Sequence, residues 1–314
     1  MGFYVLTYLC IAVFILAIVY LTYRNLTLPM HVRWEIYPVQ NETAGKVAYG
    51  GSYMEELNWW EKKRESSLLN EVKYMVPEIL LLRGLWKENK RLWLVSFPFH
   101  FGLYLMIATF SLLLLHALLT LCGCAAFIPC DASRTLLDGL ITVTGWCGLI
   151  LGNIGSIGLL YKRWTNREMR NYSPFIDYFN IIFILLFFLA ALVTCLSGDY
   201  FLQGAKAYTL GLLAGGASLN SYVPGQNIPG ILTIVLASLL VAYIPLTHMS
   251  HMFMKYFIYH RVKWDDAPNR PGSPIEGAVK ANLDFKPTWQ AKHVGADGRK
   301  SWKDIASSYP KELK

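Results

Sequence analysis

Five stretches of this sequence run for at least 21 residues without a Lys, Arg, Asp or Glu. They are Met1–Tyr23, Leu92–Cys130, Gly139–Tyr161, Tyr178–Gly198 and Ala207–Met254. A helix needs roughly 20 apolar residues to cross about 30 Å of hydrocarbon, and each run can supply them. Composition agrees, with 54% hydrophobic and 16% charged residues against roughly 45–50% and about 25% in soluble domains. Disorder, collagen, coiled coil and a small disulfide scaffold are excluded, the six cysteines being too few and too scattered for a framework. The chain reads as an all-α integral membrane protein, a bundle of five transmembrane helices. Spans are expected near Phe3–Tyr23, Pro98–Leu121, Gly139–Tyr161, Tyr178–Ser197 and Pro229–Phe257. The last run is too long for one helix. Its Gly- and Ser-rich first half, Gly211–Gly230, is expected as an outer loop with a short surface helix, the alternative being a sixth span over Tyr200–Ser218.

Charge sets the expected orientation. Of 29 Lys and Arg, eleven lie in Arg24–Phe97, four in Tyr161–Pro174 and twelve in Lys255–Lys314, leaving Arg134 and Lys206 on the other side. The positive-inside rule then puts the N-terminus outside and the C-terminus in the cytoplasm of a multi-pass protein of the cytoplasmic membrane. The first span has no basic n-region and no small-residue cleavage site, so it reads as a retained anchor. The formal net charge of +8 reports topology and attraction to anionic lipid, not nucleic-acid binding. The chain divides into a first span (1–23), a cytoplasmic or interfacial insert (24–97), a four-helix domain (98–257) and a cytoplasmic tail (258–314).

The insert mixes Trp and apolar residues with Lys and Arg in HVRWEIYPV (His31–Val39), EELNWWEKKR (Glu55–Arg64) and VKYMVPEILLLRGLW (Val72–Trp86). Such stretches suit helices lying in the interface plane, with Pro77 expected to break the last. Trp59, Trp60 and Trp86 need burial against lipid or a partner protein. The tail from Trp264 on is Pro/Gly-rich and polar, with no core of its own expected.

Ionisable groups inside a membrane are costly and therefore functional candidates. Of seven histidines, His31 and His260 lie just past span ends, while His100, His116, His248 and His251 fall within the expected spans. At 1.5 Å per residue, His100 lies about 3 Å from the start of the second span, and His248 and His251 lie roughly 29–33 Å along the fifth, near its cytoplasmic end. His116 lies roughly 24 Å beyond His100, with no second His at its depth. Imidazoles at one level on facing helices are what a six-coordinate b-type haem needs, and Phe97, Phe99, Phe101 and Tyr104 suit its edge. The competing reading is polar packing, with the imidazoles hydrogen-bonded across helices. Between His248 and His251, three residues apart, spacing alone does not choose.

Four segments, SFPFHFGLYL (Ser96–Leu105), Gly155–Thr194, LLAGGASLNSYVPGQ (Leu212–Gln226) and IPLTHMSHMFMKYF (Ile244–Phe257), resemble the gamma subunit of respiratory nitrate reductase. They resemble more closely the related membrane cytochrome b subunits that partner heterodisulfide-reductase-like iron–sulfur proteins. YHRVKWDD (Tyr259–Asp266) and the insert around HVRWEIYPV are similar to that branch too. The resemblance implies electron transfer between menaquinol or menaquinone and a cytoplasmic iron–sulfur subunit. It places the proximal haem-iron ligands on His100 and His251. The family's second, outer haem takes ligands at positions that are Phe110 and Thr233 here, and neither side chain ligates iron. One haem b is therefore expected. A second using His116 would need a non-His ligand or one from another subunit.

With no outer haem, the quinone head group is expected near the single haem, in the cytoplasmic half. His248 is the candidate for exchanging its proton, since imidazole titrates near neutrality; alternatively it hydrogen-bonds a haem propionate or a carbonyl. Cys122, Cys124 and Cys130 lie in an outer loop where a disulfide is permitted. Cys10, Cys147 and Cys195 read as small packing residues in spans, and Asp138 and Asp177 as cap or interface residues. The expected function is a redox subunit of a quinone-linked oxidoreductase complex rather than a complete enzyme. The alternatives are a haem-free membrane anchor or a transporter subunit, although internal repeats and broken helices are not legible.

Overall fold

The computed structural model describes residues 2–27, 68–123, 131–215, 227–251, 253–254, 270–288 and 296–308. His31–Val39, Glu55–Arg64, Cys124, Cys130, most of the loop before Asn227, Tyr259–Asp266, His260 and His293 lie outside the described residues. Among those described, the chain is helical and contains no strand. The five apolar runs form α1 (Gly2–Thr27), α4 (Lys90–Leu121), α5 (Asp131–Thr165), α7 (Phe175–Leu196) and α9 (Ile228–Tyr243). All five are long and apolar enough to cross a membrane, the last with its extension to Leu246. Shorter helices are α2 (Leu68–Leu81), α3 (Arg83–Glu88), α6 (Arg167–Asn171), α8 (Gln203–Leu213), α10 (Pro274–Leu283) and α11 (Trp302–Ala306). The chain forms two compact units, Met1–Leu16 with Val76–Thr247, and Ala17–Met75 with His248–Lys314.

In the first unit α4 packs along α5, α5 on α7, α7 on α9, and α8 on α4. Glycine makes the α4–α5 contact close. A Cβ on Gly102 would lie 2.5 Å from the Gly152 backbone nitrogen, and one on Gly155 would land on the backbone of Phe99. Gly152 also admits the ring of Phe188 from α7, which is fully buried. Small residues serve this purpose in membranes because helices gain little hydrophobic energy by leaving lipid, so tight packing must supply the attraction. Hydroxyls within the spans are satisfied one turn back, as when Thr109 donates to the Leu105 carbonyl (2.8 Å) and Ser156 to that of Gly152 (2.7 Å).

Several expected boundaries move. The second span begins at Lys90 rather than Pro98, because the Asn89 side chain accepts the Leu92 N–H at 2.9 Å and caps the helix; Pro98 lies inside it. Pro77 does not break α2, which runs through it to Leu81 and ends where Leu82 adopts a left-handed φ of 51°. The fifth span stops being α-helical at Tyr243 and ends in a 3-10 turn at Ile244–Leu246, with a second 3-10 turn following at His248–Ser250. Pro245 is the cause, lacking an N–H and clashing with the carbonyl four residues back.

Most of the loop expected over Gly211–Gly230 lies outside the described residues; the helix before it, α8, is packed into the bundle. Gly204, Lys206, Thr209, Leu210, Gly211 and Leu212 are buried. Its 11 residues extend about 17 Å, too short for the sixth span weighed as an alternative. The Asp199 carboxylate accepts the N–H groups of Gln203 (2.6 Å) and Gly204 (3.0 Å) at its start. The first turns of α1 meet its other side: Tyr4 stacks on Tyr208 at 4.9 Å, and the Tyr8 hydroxyl donates to the Leu212 carbonyl. The Thr7 hydroxyl lies 2.6 Å from that of Tyr208 and 2.7 Å from that of Ser238 on α9.

In the second unit the tail is ordered by hydrogen bonds where an apolar core was not expected. Ser273 caps α10, and Ser301 with Asp304 forms a reciprocal capping box on α11. The Trp302 N–H donates to the Phe285 carbonyl at 3.0 Å, the Gly298 N–H to that of Pro287 at 2.9 Å, and Lys303 pairs with Asp284. Ala296 and Ser301 are buried between these segments.

Two outcomes follow from this packing. Gly155→Ala is expected to cost about 1–3 kcal/mol by overpacking, read as a lowered midpoint of thermal unfolding in detergent. Gly139→Ala, where an added Cβ meets nothing within 4 Å, should leave the midpoint unchanged. In the tail, the Ser301 hydroxyl and backbone N–H hold the Asp304 carboxyl below its ordinary range, and the N–H groups of Arg299 and Lys300 do so for Asp297. Depressed carboxyls stabilise the fold fully above their unfolded values, near pH 4, and that stability is lost as pH falls through the folded values. Amide-exchange protection at Ser301 and Asp304 should therefore drop in acid, and Asp304→Ala should reproduce the drop at neutral pH.

Candidate functional site

His100 sits in α4, ten residues after Lys90, or roughly 15 Å along the helix. Its Nδ1 lies 2.8 Å from the Ser96 carbonyl oxygen and 3.3 Å from the Ser96 hydroxyl, both one turn back. A carbonyl can only accept, so Nδ1 carries the proton and Nε2 the lone pair. That is the tautomer in which a metal-ligating imidazole is usually held. The Phe99 ring meets His100 edge to face at 5.3 Å. On α4 an aromatic column rises toward this level, Trp93 stacking on Phe97 at 4.6 Å and Phe97 on Phe101 at 5.4 Å.

Two bonds that bracket His100 in sequence tie the end of α2 to α4. Trp93 Nε1 donates to the Leu81 carbonyl at 2.7 Å, and the Tyr104 hydroxyl to that of Ile79 at 2.9 Å. The Glu78 carboxylate accepts the Gly84 N–H at 2.8 Å and closes the α2–α3 bend. The end of α2 thus lies back along the first half of α4, a placement that composition alone did not reveal.

His248 and His251 belong to the second unit, whereas His100 and His116 belong to the first. Both lie past Leu246, the last residue of the fifth span, and both are exposed. This corrects their expected place inside the span. The 3-10 turn holds His248, and His251 follows it directly. His251 Nδ1 lies 2.9 Å from the His248 carbonyl oxygen. His251 therefore shares the tautomer-fixing arrangement of His100.

At the other end of α4 lies a cluster that the sequence reading missed. Lys206 of α8 pairs with Asp138 of α5 at 2.7 Å, and His116 Nε2 lies 3.8 Å from the same carboxylate oxygen. The Lys206 side chain is 6% exposed and that of Asp138 45%. The available signal was Lys206 set among Gly204, Ala205, Ala207 and Gly211, a small-residue surface made for close packing. Asp177, at the opposite end, pairs with Arg163 at 2.9 Å, so both aspartates anchor helix ends. Phe110 is exposed, and the Thr233 hydroxyl lies 3.0 Å from that of Thr194 on α7. Cys10 and Cys195 are buried as expected for packing residues, but Cys147 faces outward.

Among the described residues no group of three or more His, Cys, Asp or Glu side chains gathers to hold a bare metal ion. Comparison with protein-family models, with curated proteins and with solved structures finds no match.

Lys206→Met should leave Asp138 without its cation and destabilise the protein by about 2 kcal/mol, below the 3–5 kcal/mol of a fully buried pair because Asp138 is half exposed. Thermal unfolding in detergent reads this, and adding Asp138→Leu should recover most of the loss.

Proposed function

We propose that the chain is the membrane subunit of a quinone-linked oxidoreductase, a b-type cytochrome carrying one haem b with His100 and His251 as axial ligands. The carrying observation is His100 itself. It is an imidazole within a membrane-spanning helix, and the Ser96 carbonyl fixes its Nδ1 proton so that Nε2 is the ligating nitrogen. His251 is oriented in the same way by the His248 carbonyl, which favours it over His248 as the second ligand. Each imidazole, taken within its own unit, is held as an iron ligand would be.

Bound there, the haem supplies a one-electron relay between quinone and an iron–sulfur partner. The rest is done by the chain's own side chains. Ser96 and the His248 carbonyl hold two imidazoles in their ligating tautomer, and Phe97, Phe99 and Phe101 line the approach with apolar surface. Menaquinol oxidation yields two electrons and two protons, and the His248 ring is the proposed proton acceptor beside the ligand that its own carbonyl orients. Phe110 is exposed and Thr233 is bonded to Thr194, so neither position supplies an iron ligand, and the reading keeps a single haem with the quinone near the basic end.

In this reading that end faces the cytoplasm and the N-terminus lies outside. The insert and the ordered tail form the docking surface for an iron–sulfur subunit of heterodisulfide-reductase type. A haem-free anchor or transporter subunit is the competing assignment, and one measurement separates them. A reduced-minus-oxidised visible spectrum of the purified protein is expected to show a b-type band. His100→Ala and His251→Ala should each abolish it, while His248→Ala should keep the band and slow its reduction by a menaquinol analogue at least tenfold. A wild-type protein purified from cells supplied with haem that shows no band would refute the cytochrome reading.

A further inference from the structure

The bend between α2 and α4 leaves apolar and cationic groups side by side. Val76, Leu80, Leu81 and Trp86 are exposed. Tyr104, whose hydroxyl binds the Ile79 carbonyl, lies fourteen residues along α4 from Lys90, roughly 21 Å. The last turn of α2 is thus held beside the membrane-crossing part of α4, where an exposed aliphatic surface meets acyl chains rather than water. Trp86 and Trp93 meet edge to face at 4.7 Å, in the manner of the aromatic belt at a membrane surface.

The same stretch of chain carries Arg83, Lys87, Lys90 and Arg91, and Lys162 stands at the end of α5. Lys90 stands 5.2 Å over the Trp86 ring. Gly158 of α5 lies against Val95 of α4, and one turn further toward this end the two helices carry Lys162 and Arg91. Of the nearby carboxylates, Glu78 receives the Gly84 N–H, and Glu88 is exposed. Among the described residues no carboxylate forms an ion pair with Lys87, Lys90, Arg91 or Lys162, whereas neighbouring Arg163 is paired with Asp177. Two like charges on adjoining helices, above a surface that fits acyl chains, lack an anion with a tail.

We propose that this bend is a binding site for an anionic phospholipid. Its phosphate lies between Arg91 and Lys162, and its acyl chains run along Val76, Leu80 and Leu81. Arg presents a planar fork to phosphate oxygens, and basic pockets between membrane helices bind anionic head groups. An acidic protein surface would suit the cations but not the aliphatic strip lying at membrane depth. The inference does not rest on the cytochrome reading.

The test uses the full chain in nanodiscs of equal phosphatidylcholine, phosphatidylethanolamine and phosphatidylglycerol, released for native mass spectrometry. Wild type is expected to retain phosphatidylglycerol preferentially. Arg91→Gln with Lys162→Gln should lower that preference on the order of 20-fold, at about fivefold for each basic side chain, while Arg91→Lys with Lys162→Arg should keep it. Monodisperse elution of each variant controls for folding. Equal retention of phosphatidylglycerol by wild type and the Gln variant would overturn the proposal. So would a Gln variant that keeps its lipid preference but loses an iron–sulfur partner, which would make the patch a protein dock. A visible spectrum of the same samples keeps this outcome separate from the fate of the haem.

Discussion

The near-contact of two backbones, those of α4 and α5, governs much of the first unit. Gly102, Gly152 and Gly155 remove the side chains that would otherwise stand between the helices, so the helices meet along their length and leave no room for sliding. The register that results places Phe99 on Gly155 and lets Phe188 enter over Gly152, which draws α7 onto the pair. Because Phe99 is locked, its neighbour His100 cannot drift along the helix axis. The position of the candidate ligand is thereby set by residues that carry no chemistry.

Most polar groups in the bundle find a partner, as a lipid surrounding demands, although the Asn153 Oδ1 and Arg163 Nε atoms are buried without a hydrogen bond. Hydroxyls use the carbonyl one turn back, and imidazoles at His100 and His251 use the same device. Charges are treated differently at the two ends. At the end bearing Lys90 and Lys162 the cations outnumber their carboxylates and stay at the rim, whereas at the other end Lys206 is drawn inside and matched by Asp138. A single buried pair thus fastens a short helix to the bundle where apolar packing alone would have little area to work with.

The five spans were legible because a run of apolar residues long enough to cross hydrocarbon has few other uses. What escaped was local. Asn89 moved the start of α4 by a cap that a hydropathy reading passes over, and Pro245 ended α9 early, taking His248 and His251 out of the helix whose rise had been used to place them. Lys206 looked like a topology marker because a lone charge near a loop normally stays in water, and its burial depends on an aspartate 68 positions earlier in the chain. The candidate ligand His100 was readable from its surroundings in the sequence. The Ser96 carbonyl that orients it was not, since backbone partners leave no mark on side-chain pattern.

The hydroxyl of Thr7 has a consequence for how the protein is made. Its partners Tyr208 and Ser238 lie 201 and 231 residues further along the chain. At 5–20 residues per second, a ribosome needs on the order of ten seconds or more to deliver them. Throughout that interval α1 is already in the bilayer with the Tyr4 ring, the Tyr8 hydroxyl and the Thr7 side chain lacking their final partners. Near its N-terminal end the helix can meet that need with interfacial water until α8 and α9 emerge. A span made long before α8 and α9 is thus locked only when they arrive, and the bundle closes back onto α1.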